Sequence, residues 1–289
     1  MSQTSITVEL VIPSYDRLTV LKRTLSQIRM LYPSLKICLG LQGDMPDVLW
    51  QSELDKDQNL RIERIAPPST TVTLNHCIRS SQADIILILD DDATPHFGWL
   101  ETHLDTFLGA PTLVYTSGRV IEYTRARSSF SEWFRIMVEW TFGLFLGRDK
   151  KITGRPVGWM NWIGLSFTNQ HLPGTCRINS PREGNMGIRR DQFIDAGGFS
   201  SSFVGNAWGF GADFGLRIAK RGSYGKYVGD AIIIHHEAPS GGTRSHNINQ
   251  WFSDFLHNQS IVIGHLGPQA WIGSIPRIIK HIIRIIMRK

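Results

Sequence analysis

Four strand-like runs, Ile6–Ile12, Leu35–Leu41, the short Leu60–Ile65 and the near-continuously apolar Asp84–Leu89, punctuate the first third of the sequence. Between the first two, Leu18, Leu21, Leu25 and Ile28 recur at helical spacing, and the helix they predict ends before Pro33. Pro13 is expected to stop the first strand, and Gly43 and Asp44 to close the second. Further helices are expected at Pro46–Asp57 and, more weakly, at Thr71–Ser81. Strands that alternate with helices return by crossovers to parallel partners, so the pattern predicts an α/β fold with a mostly parallel central sheet flanked by helices. In such sheets ligands bind beyond the carboxyl ends of the strands. Anything chemically active should therefore lie just after these runs.

The fourth run leads without a break into Asp90, Asp91 and Asp92, then Ala-Thr-Pro. Adjacent carboxylates repel, and burial raises their pKa values unless a cation compensates. The plain reading is a solvated turn that caps the helix expected at Phe97–Leu108. The sharper reading is a hard-cation site, in which alternate carboxylates share one Mg²⁺ or Mn²⁺ that also bridges substrate phosphates. A second strand, Ala231–His235, ends in a comparable way with His235, His236 and Glu237, followed by Gly241-Gly242 and Arg244. An imidazole can complete a carboxylate metal site, and an arginine behind a glycine pair can close on a phosphate as a bidentate fork.

Cys38, Cys77 and Cys176 are too few and too scattered for a disulfide framework or a zinc cluster, which suits a reducing cytosol. No apolar stretch reaches membrane-spanning length, and the N-terminal residues do not read as a signal peptide, so a cytoplasmic protein is expected. The formal charge of +6 admits nucleic acid, an anionic membrane or a phosphorylated substrate, and its location discriminates among them. Arg277, Lys280, His281, Arg284 and Arg288 recur three or four apart near the C-terminus, among isoleucines. After Pro276 about 13 residues at 1.5 Å each reach roughly 20 Å, too short to span a bilayer. The tail suits a helix lying in the inner membrane interface, and packing on its own domain or on a partner chain is the alternative. No basic stripe with interleaved aromatics appears elsewhere, so nucleic acid is not expected. Residues 125–175 form an aromatic-rich insertion whose helix, FSEWFRIMVEWTFGLFLG, is apolar nearly all round; it is either buried or set against something greasy.

Four segments together resemble the family-2 glycosyltransferases of GT-A fold, which move a sugar from a nucleotide-diphospho-sugar. They are VIPSYDRLTVLKRTL, LILDDDATP, GNMGIRRDQFIDAGGF and HHEAPSGGTR, in that order over most of Ile6–Arg244. The resemblance implies a single GT-A domain over residues 1–244, followed by a helical extension over 245–289. It implies that Pro13, Ser14, Tyr15 and Arg17 line the nucleotide, with Asp44 near the base and Asn75, Asp90, Asp91 and Arg244 completing the donor site. Asp92 and His235, with Asp90, would hold a divalent cation, Mn²⁺ or Mg²⁺, under the diphosphate. The implied activity is inverting transfer to a glycan or lipid-linked acceptor, as in polysaccharide or glycolipid synthesis at the cytosolic face of a membrane.

Two positions depart from the family pattern. Leu74 precedes Asn75 where the family often has arginine. Aligning Asp213 and Arg217 with the family's later acidic residue and arginine leaves Phe210-Gly211 where a Glu-Asp pair carries the base. Asp213 is the first replacement candidate, unless it only pairs with Arg217; Glu183 and Glu237 are the others. Two rival functions stay open: a catalytically impaired relative that binds sugar nucleotide or a partner, and a nucleotidyltransferase. The second lacks its usual glycine-rich triphosphate loop in IPSYDRLTVLKR.

Overall fold

Each strand-like run of the first third becomes a strand in the computed structural model, which describes residues 6–43, 56–122, 129–236 and 247–286. The order is β1 (Val8–Tyr15), α1 (Leu18–Leu31), β2 (Lys36–Gln42), β3 (Leu60–Arg64), α2 (Thr70–Ser80) and β4 (Ile85–Leu89). Then follow β5 (Ala93–Pro95), α3 (Trp99–Leu108), β6 (Leu113–Glu122) and α4 (Ser129–Gly143). Two small hairpins come next, β7 (Lys151–Ile152) with β8 (Arg155–Pro156) and β9 (Trp159–Met160) with β10 (Ser166–Phe167). The chain continues through β11 (Thr175–Ile178), β12 (Asn185–Arg189), α5 (Arg190–Asp195), α6 (Phe210–Lys220) and β13 (Tyr224–His235). It ends in α7 (Ile248–Ile263), a 3₁₀ segment (Pro268–Ser274) and α8 (Ile275–Ile286). The helix expected at Pro46–Asp57 falls mostly outside the described residues.

The central sheet runs β11-β13-β6-β12-β4-β1-β2-β3, with β5 added to β13. Its β4-β1-β2-β3 half is wholly parallel, as the alternating pattern predicts. The other half is mixed, because β12 enters antiparallel between β4 and β6. Alternation along β4 sends Ile86 and Ile88 to one core layer and Ile85, Leu87 and Leu89 to the other. The first layer lies under α2, α5 and α6, and the second under α1 and α3.

Pro13 does not end the first strand; β1 runs two residues further and pairs Pro13 with Gly40. Pairing with β4 stops at Val11, so one side of β1 carries no ladder bonds there and a missing N–H is tolerated. Gly40 also lets α2 approach the sheet, since a Cβ there would lie 2.4 Å from Thr73 Cγ2. That close packing carries the start of α2, and with it Thr70, to the carboxyl end of β2. Among the described residues no helix is long and apolar enough to cross a membrane.

Candidate active site

The carboxyl ends of β1, β2 and β4 open on one side of the sheet, and β12 starts there because Asn185 pairs with Leu89. Asp90, just past β4, therefore meets the turn before β12, where its N–H donates to Gly184 O at 3.3 Å. Strand β13 arrives antiparallel to β5 and sets His235 opposite Ala93. The result is a cleft of about 260 Å³ lined by Pro13, Tyr15, Arg17, Asp90, Asp92 and His235, among others.

Its floor carries a ligand cluster. His235 Nε2 lies 3.0 Å from Asp92 Oδ1 and 4.0 Å from Asp90 Oδ2. One ligand atom from each of the three residues lies within 4.8 Å of the others. Gly184 makes room: a Cβ there would sit 1.9 Å from Asp90 Oδ2, so any larger residue pushes that carboxylate away. Burial and the charge of Asp92 hold the Asp90 carboxyl above the usual carboxylate range. The hydrogen bond to Asp92 holds His235 above the usual imidazole value. The lining sets four carboxylates (Asp90, Asp91, Asp92 and Glu183) against two guanidiniums (Arg17 and Arg182) and one imidazole. Carboxylates outnumber the cations of this lining, so an anionic ligand there would be opposed unless positive charge were added. Two carboxylates with an imidazole fit a hard or borderline divalent ion such as Mn²⁺.

Asp91 turns the other way. It accepts hydrogen bonds from Ser14 Oγ at 2.6 Å and Arg17 Nη1 at 3.1 Å, while its carbonyl accepts from Thr24 Oγ1 at 2.7 Å. Burial still pushes its carboxyl up to about 6, against the lowering effect of Ser14 and Arg17. Ser14 and Asp91 border the cleft, but their polar atoms are engaged with each other in fixing the β1–α1 loop. Arg17 also donates to Asp92 at 3.3 Å, tying that loop to the ligand cluster.

Asn75 is not at the cleft. Its side chain clamps Phe199 by donating to the carbonyl at 2.7 Å and accepting the N–H at 2.9 Å. The missing arginine at Leu74 therefore has no asparagine partner at the cleft. Asp213 is likewise absent from the lining: it is 1% exposed and held by Arg217 at 2.9 Å and His265 at 2.6 Å. The pairing with Arg217, the alternative to a catalytic role, is present, and His265 adds a tie to the segment after α7. Removing one partner of a buried ion pair strands the other, so Asp213→Ala should cost about 3 kcal/mol in urea unfolding. Asp44, Glu237 and Arg244 lie outside the described residues.

Glu183 is at the cleft. Gly211, one of the two residues standing where the family's Glu-Asp pair belongs, donates its N–H to Glu183 Oε1 at 2.8 Å. A Cβ on Gly211 would lie 2.4 Å from that same oxygen. The carboxylate thus fills the space that a side chain at the start of α6 would occupy. Burial, then the charge of Asp90, holds its pKa above the usual range despite the N–H it accepts. Glu183 also lines a second cavity of about 360 Å³ with Ser166, Gln170, Ser180, Asn206 and Trp208. The two cavities share Arg182, Glu183, Asn206 and Phe210. Gln42, Thr70, Arg182 and Asn206 were not singled out by the sequence; Gln42 was accessible by the strand-end rule, since it closes β2.

A curled α/β sheet with an acidic cluster past its fourth strand is the architecture of a GT-A glycosyltransferase. The crystal structure of GalNAc-T7 with UDP, GalNAc and Mn²⁺ has that fold at a TM-score of 0.61 and 14% identity, over 91% of this chain. The match spans 48% of that protein, about half its length. The sequence profile of glycosyl transferase family 2 matches residues 9–163, more than half of the chain, and the chain belongs to that family. No curated protein matches the sequence.

Proposed function

We propose that the chain transfers one sugar, with inversion, from a nucleotide-diphospho-sugar to a hydroxyl of a glycan or lipid-linked acceptor. The observation that carries this reading is the joining of two cavities at a single carboxylate. Asp90, Asp92 and His235 lie under one cavity, the other opens beside it, and Glu183 stands between them. In this reading the donor occupies the first cavity and the acceptor the second. Glu183 takes the proton of the acceptor hydroxyl as that oxygen attacks the anomeric carbon. The bond from that carbon to the diphosphate breaks on the opposite face, through an oxocarbenium-like state, and the electron pair leaves with the diphosphate. Arg182, which lines both cavities and pairs with Glu122 at 2.6 Å, is the cation this reading assigns to the developing negative charge. When bound by Asp90, Asp92 and His235, a divalent cation supplies further charge neutralisation at the diphosphate.

The same arrangement favours an active enzyme over the impaired relative. Loss of the acidic pair at Phe210-Gly211 is matched by a carboxylate in the vacated space. The test is a thermal-shift screen of UDP-, GDP- and dTDP-sugars with and without Mn²⁺. One donor should raise Tm only with the metal present, and nucleoside diphosphate should then be released slowly without acceptor. A protein stabilised by no donor under either condition would contradict the proposal. Anomeric NMR of the glycosylated product would decide between inversion and retention.

A further inference from the structure

Helix α4 is pinned from beneath and greasy on top. Glu139, 4% exposed, accepts Arg155 Nε at 2.8 Å and also binds Arg135, and Phe142 packs on Phe167 of β10. That anchoring leaves Met137, Trp140 and Leu144 exposed at helical spacing, with Phe145 84% exposed just beyond. They belong to an apolar groove of about 380 Å³ lined, among the described residues, by α4 and Leu144. Helix α8 repeats the situation: Ile275, Ile279, Ile282 and Ile283 each stand roughly half exposed.

One turn links the two helices. Trp162, 68% exposed, lies between β9 and β10, whose Phe167 ring is 5.8 Å from Phe142 of α4. In the same turn Ile163 O accepts the N–H of Gly273 at 2.7 Å, immediately ahead of α8. The exposed apolar side chains therefore belong to neighbouring, mutually braced segments. Cations accompany them. Arg148, Lys150 and Lys151 follow Phe145, with Asp149 the one acid among them, and from Ile275 to Lys289 the sequence has no acidic residue at all. Apolar surface flanked by cations is what an anionic bilayer accepts, with chains taking up the apolar groups and headgroups the charge. A second copy would fit poorly, because a two-fold contact would bring the same cations together.

We propose that α4, the turn carrying Trp162 and α8 form one surface that docks on an anionic lipid bilayer without crossing it. Docking does not rest on the transfer chemistry, and its test reads binding alone. Full-length protein is sedimented with vesicles of phosphatidylcholine, alone or mixed with phosphatidylglycerol. It should pellet with the mixed vesicles and be released as salt is raised. The double variants Ile279→Ser/Ile282→Ser and Met137→Ser/Leu144→Ser should each reduce partitioning on the order of tenfold. Their melting should stay at the parent value, because the replaced groups are exposed. Equal binding to neutral vesicles, or parent-like partitioning of both variants, would overturn the proposal. So would a concentration-dependent dimer that both variants abolish in a protein that ignores vesicles.

Discussion

Glu183→Gln should lower the release of nucleoside diphosphate from the donor by about 10³-fold, within the range found for removal of a positioned general base. Glutamine keeps the carbonyl oxygen that accepts the Gly211 N–H, so the start of α6 stays in place. Donor binding, read as the Mn²⁺-dependent thermal shift, should survive. Two further readouts separate a base from a packing residue. The base works ionised, and burial with Asp90 raises its pKa. Activity should therefore fall as pH drops through that raised value, above the ordinary carboxylate range, and the glutamine variant should lose this limb. Stability has the opposite sign. A carboxyl whose folded pKa exceeds its unfolded one binds its proton more tightly when folded. Its ionised form destabilises the fold at neutral pH, and that cost disappears as pH falls below the unfolded pKa. Glu183→Gln should therefore melt higher than the parent at neutral pH while turning over far more slowly. An unchanged rate would remove Glu183 from the chemistry, and a lower melting temperature with lost activity would make it structural.

The parallel half of the sheet was legible because β4 is continuously apolar and wholly buried, and the other strands alternate with helical segments. The β12 insertion was not. Nothing in GNMGIRR states that it pairs antiparallel with β4, a long-range register fixed only when Asn185 meets Leu89. The location of Glu183 depends on that register. Spacing along α6 led instead to Asp213, which shares the helix with the missing pair but is tied to Arg217 and His265. The carboxylate that replaces the pair comes from 28 residues earlier in the chain. Local reading follows one element, whereas a site is assembled across several.

The aspartate run shows the same limit at short range. Charge repulsion argued for something positive, and alternation argued that two of the three acids face it; Asp90 and Asp92 do. Motif likeness could not say that Asp91 would spend its carboxylate on Ser14 and Arg17, or that Asn75 would hold a backbone turn. Both side chains stabilise the loops that shape the cleft. A motif records which residues are near a site, and side-chain direction needs the hydrogen bonds.

That direction is testable by comparing Asp92→Asn with Asp91→Asn. Asp92 is 3% exposed, lies 3.0 Å from its cluster partner His235 and is the residue through which Arg17 reaches the cluster. Asparagine keeps its shape but removes the charge, leaving Asp90 as the cluster's single carboxylate. Asp92→Asn should abolish the Mn²⁺-dependent thermal shift. Turnover should fall on the order of 10³-fold, matching several kcal/mol of lost charge stabilisation at the leaving group. Asp91→Asn removes one of the two charge partners of Arg17, which keeps Asp92, and no group of the cluster, so it should keep the metal response. If the two variants responded alike to Mn²⁺, the three acids would form one diffuse negative patch rather than a directed site. Retained metal response in Asp92→Asn with loss in Asp91→Asn would place the ion toward α1, and the cavity shared with Glu183 would no longer be the place where sugar and acceptor meet.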